Sequence, residues 1–141
     1  MYRVYLASPF FNEKEIEIVN QVEDILIGKG LNVFSPMKNQ YDHLEAGGRQ
    51  WSIETFRNDV KFIDWSEIVV GIYHGMYSDS GTAWELGYAY GSNKPVILVH
   101  VDEISSNLMV HEGAHANLTL EQLKDYDFTK LPSSFYTGEM F

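Results

Sequence analysis

The chain has 141 residues, the size of one ordinary domain, with 45% hydrophobic and 21% charged residues and no cysteine. That composition excludes a disulfide framework, a thiolate nucleophile and Cys-ligated zinc, and no unbroken apolar stretch of about 18 residues suggests a membrane span. Twenty acidic against ten basic side chains give a net charge of −10, which repels a phosphate backbone: polymeric nucleic acid is not an expected partner, whereas a small neutral ligand is compatible with it.

The N-terminus MYRVYLASPFF lacks the basic and long apolar regions of a signal peptide, so a cytoplasmic protein is expected. Residues 2–7 alternate and are rich in β-formers, and Ser8-Pro9 stops them. Over 12–29 the spacing of Ile16, Val19, Val22 and Leu26 predicts a helix, closed by Gly28 and Gly30. Leu31 to Ser35 reads as a short strand, and the polar, glycine-containing stretch 36–50 as a loop. Ile53, Phe56, Val60 and Ile63 recur at helical spacing and predict a second helix over 51–65. The apolar run 67–73 has the character of a strand buried on both faces, followed by a loop through Ser78. Asp79 or Ser80 would cap a third helix reaching about Tyr90, and 94–101 forms another buried strand. From Asp102 onward the expectation is a loop, a short strand at 117–120, a helix near 121–126 and an aromatic tail.

Strands alternating with helices imply an α/β fold of one domain over 1–141, an open parallel sheet with helices on both faces of the Rossmann or flavodoxin-like kind. In such sheets ligands sit outside the carboxyl ends of the strands, where the loops after each strand converge. The loop after the 67–73 strand leads into Asp79-Ser-Gly-Thr-Ala-Trp-Glu85-Leu-Gly-Tyr-Ala, which places two carboxylates at those ends. Glu85 has Ala83, Leu86, Gly87 and Ala89 around it, so it is partly desolvated and calls for a pairing or functional reason. Asp79 is equally readable as a plain helix cap. Two carboxylates suit chemistry at a glycosidic carbon, one attacking while an acid protonates the departing group. The amides of Ser80 to Thr82 at the helix start offer a place for a hydroxyl or phosphate.

Taken together, Tyr5-Leu-Ala, Asn39-Gln40-Tyr41, Asn58-Asp59, the Asp79 to Ala89 segment, Asn107-Leu-Met109 and the ending Phe135-Tyr-Thr-Gly-Glu-Met-Phe141 resemble the nucleoside 2-deoxyribosyltransferase family, in order and over nearly the whole chain. The resemblance implies transfer of a 2-deoxyribosyl group between nucleobases by double displacement, through a covalent deoxyribosyl-Glu85 intermediate. By the same resemblance Tyr5 orients the nucleophile, Asp79 donates a proton to the leaving base, Gln40 contacts the base, and Asp59 holds the sugar hydroxyls. Asn107, with Met109 beside it, would reach the sugar of a neighbouring subunit, and the main-chain carboxylate of Phe141 would approach the base pocket. A homo-oligomer with shared sites, built on dimers and extending to a hexamer, is therefore expected. Phe11, with Phe10, is the candidate for stacking on the base. The expected ligands are 2′-deoxynucleosides and free nucleobases, with no cofactor and no metal.

Two rival functions remain at the level of sequence. An N-glycosidase for 2′-deoxynucleoside 5′-monophosphates would use the same kind of glutamate but needs a phosphate site, and no Lys or Arg lies between Lys61 and Lys94. A non-catalytic nucleotide-sensing module could occupy the same sheet. His111-Glu112-Gly-Ala-His115 matches the H-E-x-x-H zinc pattern, but Gly113 interrupts the helix that the motif requires, and it is set aside. Trp51, Trp65 and Trp84 are read as core or subunit-contact residues.

Overall fold

The computed structural model describes residues 2–76, 78–102 and 104–141. Five strands, β1 (Arg3–Ala7), β2 (Asn32–Phe34), β3 (Ile68–Tyr73), β4 (Val96–His100) and β5 (Ala116–Thr119), form one parallel sheet in the order β2-β1-β3-β4-β5. The expected α/β class is the observed one, with the flavodoxin-like strand order, whose direction reverses between β1 and β3. That switch point is where a crevice opens at the strand ends.

Alternation along β1 assigns the two faces. Val4 and Leu6 pack with Val19, Val22 and Leu26 of α1 (Glu13–Gly28) and with Leu123 of α5 (Leu120–Asp125). Tyr5 and Ala7 point the other way, towards Ile63 of α2 (Arg49–Trp65) and Leu86 and Ala89 of α3 (Ser80–Gly91). β3 is buried at all six positions, as a central strand covered on both sides must be. A Cβ on Gly71 in β3 would lie 2.6 Å from Leu86 Cδ2, so the glycine is what lets α3 approach the sheet.

Helix ends follow the capping chemistry of the sequence. Asn12 accepts from the Glu15 amide and starts α1, and Asp79 accepts from the Thr82 amide and starts α3. Thr119 and Gln122 form a reciprocal capping box at α5. Two expectations are corrected. The 36–50 stretch contains a 3-10 turn at Pro36–Lys38, begun by a proline suited to a first helical position, and α2 starts two residues early at Arg49. The segment after β4 holds a five-residue helix, α4 (Leu108–Glu112), capped by the Asn107 side chain on the Met109 amide at 2.9 Å.

The aromatic tail docks. Tyr136 lies between the rings of His100 and His111, each centroid 4.7 Å away, and Phe141 donates its amide to Ser106 O at 3.2 Å while an oxygen of its main-chain carboxylate accepts from Leu108 N at 3.0 Å. The H-E-x-x-H pattern is broken as its glycine implies: Gly113 is the C-cap of α4, and His115 lies beyond it, bonded to Leu131 O at 2.6 Å. No helix among the described residues is long and apolar enough to cross a membrane.

Candidate active site

A cavity of about 670 Å³ opens at the carboxyl ends of β1 and β3, a volume suited to a small molecule. Its walls come from the turn after β1 (Ser8 to Phe11), the segment after β2 (Pro36, Asn39 to Tyr41), one side of α2, and the start of α3. Glu85 sits in the second turn of α3, on the side that also carries buried Thr82, Leu86 and Ala89, and so is aimed inward. Tyr5, fully buried on β1, donates its hydroxyl to Glu85 Oε2. Asp59 of α2 and Asp79 at the α3 cap complete a group of three carboxylates and a phenol. Asp79 Oδ2 is committed to Thr82, accepting from its amide and its hydroxyl at 2.9 Å each, which leaves Oδ1 for a ligand. The Thr82 amide is thereby taken, so of the three amides at this helix start only those of Ser80 and Gly81 border the cavity without that commitment.

Burial governs the charges. Desolvation pushes the Glu85 carboxyl up to about 8; the Tyr5 hydrogen bond opposes the rise, while the charges of Asp59 and Asp79 add to it. Desolvation likewise raises Asp59 to about 6, again opposed by Tyr5. Tyr5 itself is held far above the usual phenol range by burial and by the nearby Glu85 and Asp59, so it remains a donor at any working pH. Among the described residues no Lys, Arg or His lines the cavity. Acid groups pushed towards neutrality in a cleft are common at reacting centres.

The family model for nucleoside 2-deoxyribosyltransferase matches residues 4–120, which span all of these groups. The chain belongs to that family. A nucleoside deoxyribosyltransferase of Lactobacillus leichmannii is 32% identical over 98% of this chain and 97% of its own length. The solved structure of a 2-deoxyribosyltransferase from Bacillus psychrosaccharolyticus is 40% identical, with a TM-score of 0.89 over 96% of this chain and 99% of the other. A CMP N-glycosidase from Clostridium botulinum shares the fold alone, at 17% identity and a TM-score of 0.61 over 86% of this chain and 97% of the other. The protein is accordingly a nucleoside deoxyribosyltransferase, a pentosyltransferase that acts on nucleosides and nucleobases, and the reading as a non-catalytic module is set aside.

Within this family frame the residues singled out from the sequence fall into two groups. Glu85, Asp59, Asp79, Gln40 and Phe11 all border the cavity, with Tyr5 bonded to Glu85 from beneath. Phe11 is 79% exposed at the rim, stacked on Phe10 at 6.4 Å, and Gln40 donates its amide to Met37 O at 2.8 Å. Asn107, Met109 and Phe141 do not line this cavity; they gather at the start of α4 and the docked tail. Sequence reasoning set aside Trp51 and Trp84, both of which line the cavity, as do Thr55, Phe56 and Asn58. The missed signal was on α2. Trp51, Thr55 and Asp59 recur every four residues as a stripe unlike the apolar one, and of the predicted apolar stripe only Ile63 is buried, Phe56 packing instead on Trp84 at 5.4 Å.

Proposed function

We propose that Glu85 is the nucleophile of a double displacement. Its free Oε1 attacks C1′ of a bound 2′-deoxynucleoside, the bond from C1′ to the base nitrogen breaks with its electron pair passing to the base, and a proton from Asp79 keeps the base neutral as it leaves. A second base then attacks the deoxyribosyl ester and returns the proton. Tyr5 holds Oε2 so that Oε1 faces the sugar, Asp59 accepts from the sugar hydroxyls, and Gln40 and Phe11 contact the base. The hydrogen bond from Tyr5 to Glu85, on the inner side of a cavity walled by rings, amides and the Asp59 and Asp79 carboxylates, supports this reading most. Mass spectrometry after exposure to a slow deoxyribosyl donor should find one sugar on Glu85; a sugar on another residue, or none under turnover conditions, would overturn it.

Asn107, Met109 and Phe141 are proposed to complete the site of a neighbouring subunit in a homo-oligomer built on dimers, up to a hexamer. Supporting this, they cluster away from their own cavity beside apolar side chains left open: Tyr90 is 65% and Met109 76% exposed, next to an apolar cavity of about 460 Å³ between α3 and α4. Sedimentation at assay concentration should show an oligomer, and an active monomer would contradict the shared site. Hydrolysis of nucleoside monophosphates is disfavoured, since among the described residues the lining offers no cation to a phosphate. A cytoplasmic setting in nucleotide salvage is proposed along with this function.

A further inference from the structure

We propose that the cavity also accepts, as deoxyribosyl donors, 2′-deoxyribosides whose base is a fixed cation, a pyridinium or other quaternised nitrogen heterocycle. The inference rests on Glu85 being the nucleophile. Three carboxylates, Asp59, Asp79 and Glu85, meet in one cavity whose described lining includes no Lys, Arg or His. The groups that face Glu85 from each packed element are Tyr5 of β1, Asp59 of α2 and Asp79 at the start of α3; none of them supplies positive charge. The remaining wall is aromatic, with Phe10 and Phe11 stacked at one edge and Phe56 against Trp84 at another. Ring faces attract cations through their quadrupole, most strongly where water is excluded. A cationic heterocycle therefore finds both counter-charge and stacking surface in the place where a neutral base finds only the second.

The chemistry favours it further. Burial holds the Glu85 carboxyl protonated up to about 8, so at neutral pH the empty site has its nucleophile switched off in most molecules. A bound cation stabilises the carboxylate and lowers that value, which makes the donor its own activator. When C1′ leaves the heterocycle, the bond's electron pair returns to the ring nitrogen and cancels its charge. At the same time a carboxylate electron pair forms the C1′–O ester, cancelling the negative charge. Cation and anion become two neutral species, and no proton from Asp79 is required. The ester is then consumed by an acceptor base as in ordinary exchange, with the base's N–H proton passing to solvent or to Asp79.

The test uses the purified protein with the 2′-deoxyriboside of nicotinamide as donor, and adenine and cytosine in separate reactions as acceptors. Chromatography follows the new deoxynucleoside, and 2′-deoxyinosine and thymidine are the neutral comparison donors. The expected result is exchange from the pyridinium donor, with kcat, which reports the donor-bound site, changing by less than about fivefold between pH 8 and pH 6. Over the same range kcat from the neutral donors, which bring no charge to lower the Glu85 value, should lose some tens of fold as Glu85 protonates, two units below about 8 leaving roughly one carboxylate in a hundred. Exchange from the neutral donors but none from the pyridinium overturns the proposal and leaves the transferase site standing. Parallel pH profiles of kcat for both donors also overturn it. Exchange from no donor removes the nucleophile reading itself, and the proposal with it.

Discussion

Glu85→Gln should make the protein more stable while destroying its activity, and the gain should depend on pH. In the unfolded chain a glutamate ionises near its ordinary value of 4.5, whereas in the folded site it keeps its proton up to about 8. A carboxyl raised in the folded state contributes stability that is fully present below the unfolded value and is lost as pH rises through the folded one. Each unit between the two values costs about 1.4 kcal/mol, so at pH 7 the wild type has given up about 3 kcal/mol. Glutamine has no proton to lose, and its carbonyl can still accept from Tyr5. At roughly 3 °C per kcal/mol for a chain of this size, the variant should melt about 10 °C higher at pH 7 and level with the wild type near pH 4. Thermal unfolding of both proteins from pH 4 to 8 measures this directly. A variant that melts no higher at pH 7, or whose gain is the same at pH 4, would refute the desolvation argument.

Three further substitutions probe the surroundings. Asp79→Asn should slow exchange from donors with poor leaving bases far more than from activated ones, read as a steeper dependence of kcat on leaving-group acidity; equal losses across the series would reduce Asp79 to its cap on Thr82. Gly71→Ala puts a methyl against Leu86, and should cost about 1 to 3 kcal/mol in denaturant unfolding and lower kcat by moving α3 with Glu85 on it. Lys38→Ala strands the buried Glu23 carboxylate that Lys38 pairs with, and should cost about 2 kcal/mol, discounted because Lys38 is half exposed. The same change frees the segment carrying Asn39, Gln40 and Tyr41, so KM for the base should rise more than kcat falls.

The elements most legible in the sequence were those whose burial is uniform. β3 and β4 are apolar at nearly every position because both faces of the sheet are covered, and α1 buries Val19, Val22 and Leu26 of its expected stripe, Ile16 near its start staying exposed. α2 was harder. Its inward face is shared between core and cavity, so residues as different as Trp51, Asp59 and Ile63 point towards the protein, and apolar periodicity alone misassigned Phe56. α4 escaped because five residues are too few to show a period, although Asn107 was present as its cap. Glu85 was visible by its small and apolar neighbours, and Asp79 by its place at a helix start just after a buried strand, where a plain cap read equally well. The link from Tyr5 to Glu85 was not visible by spacing, since it is made through the sheet; only the likeness to a family pointed to it.

That link joins residues 80 positions apart, one on the first strand and one on the third helix. It can close only after β1 has paired with β3 and α3 has settled on Gly71. Contacts of such separation are entropically late, because a long loop must be closed before they return anything. As the chain leaves the ribosome, the strands that anchor the site therefore precede the site itself. Any partly folded form that lacks the third helix holds Tyr5 without its partner, and cannot capture a sugar. On the proposed mechanism, competence to form a covalent adduct thus doubles as a report that the whole order β2-β1-β3 with its covering helix is in place.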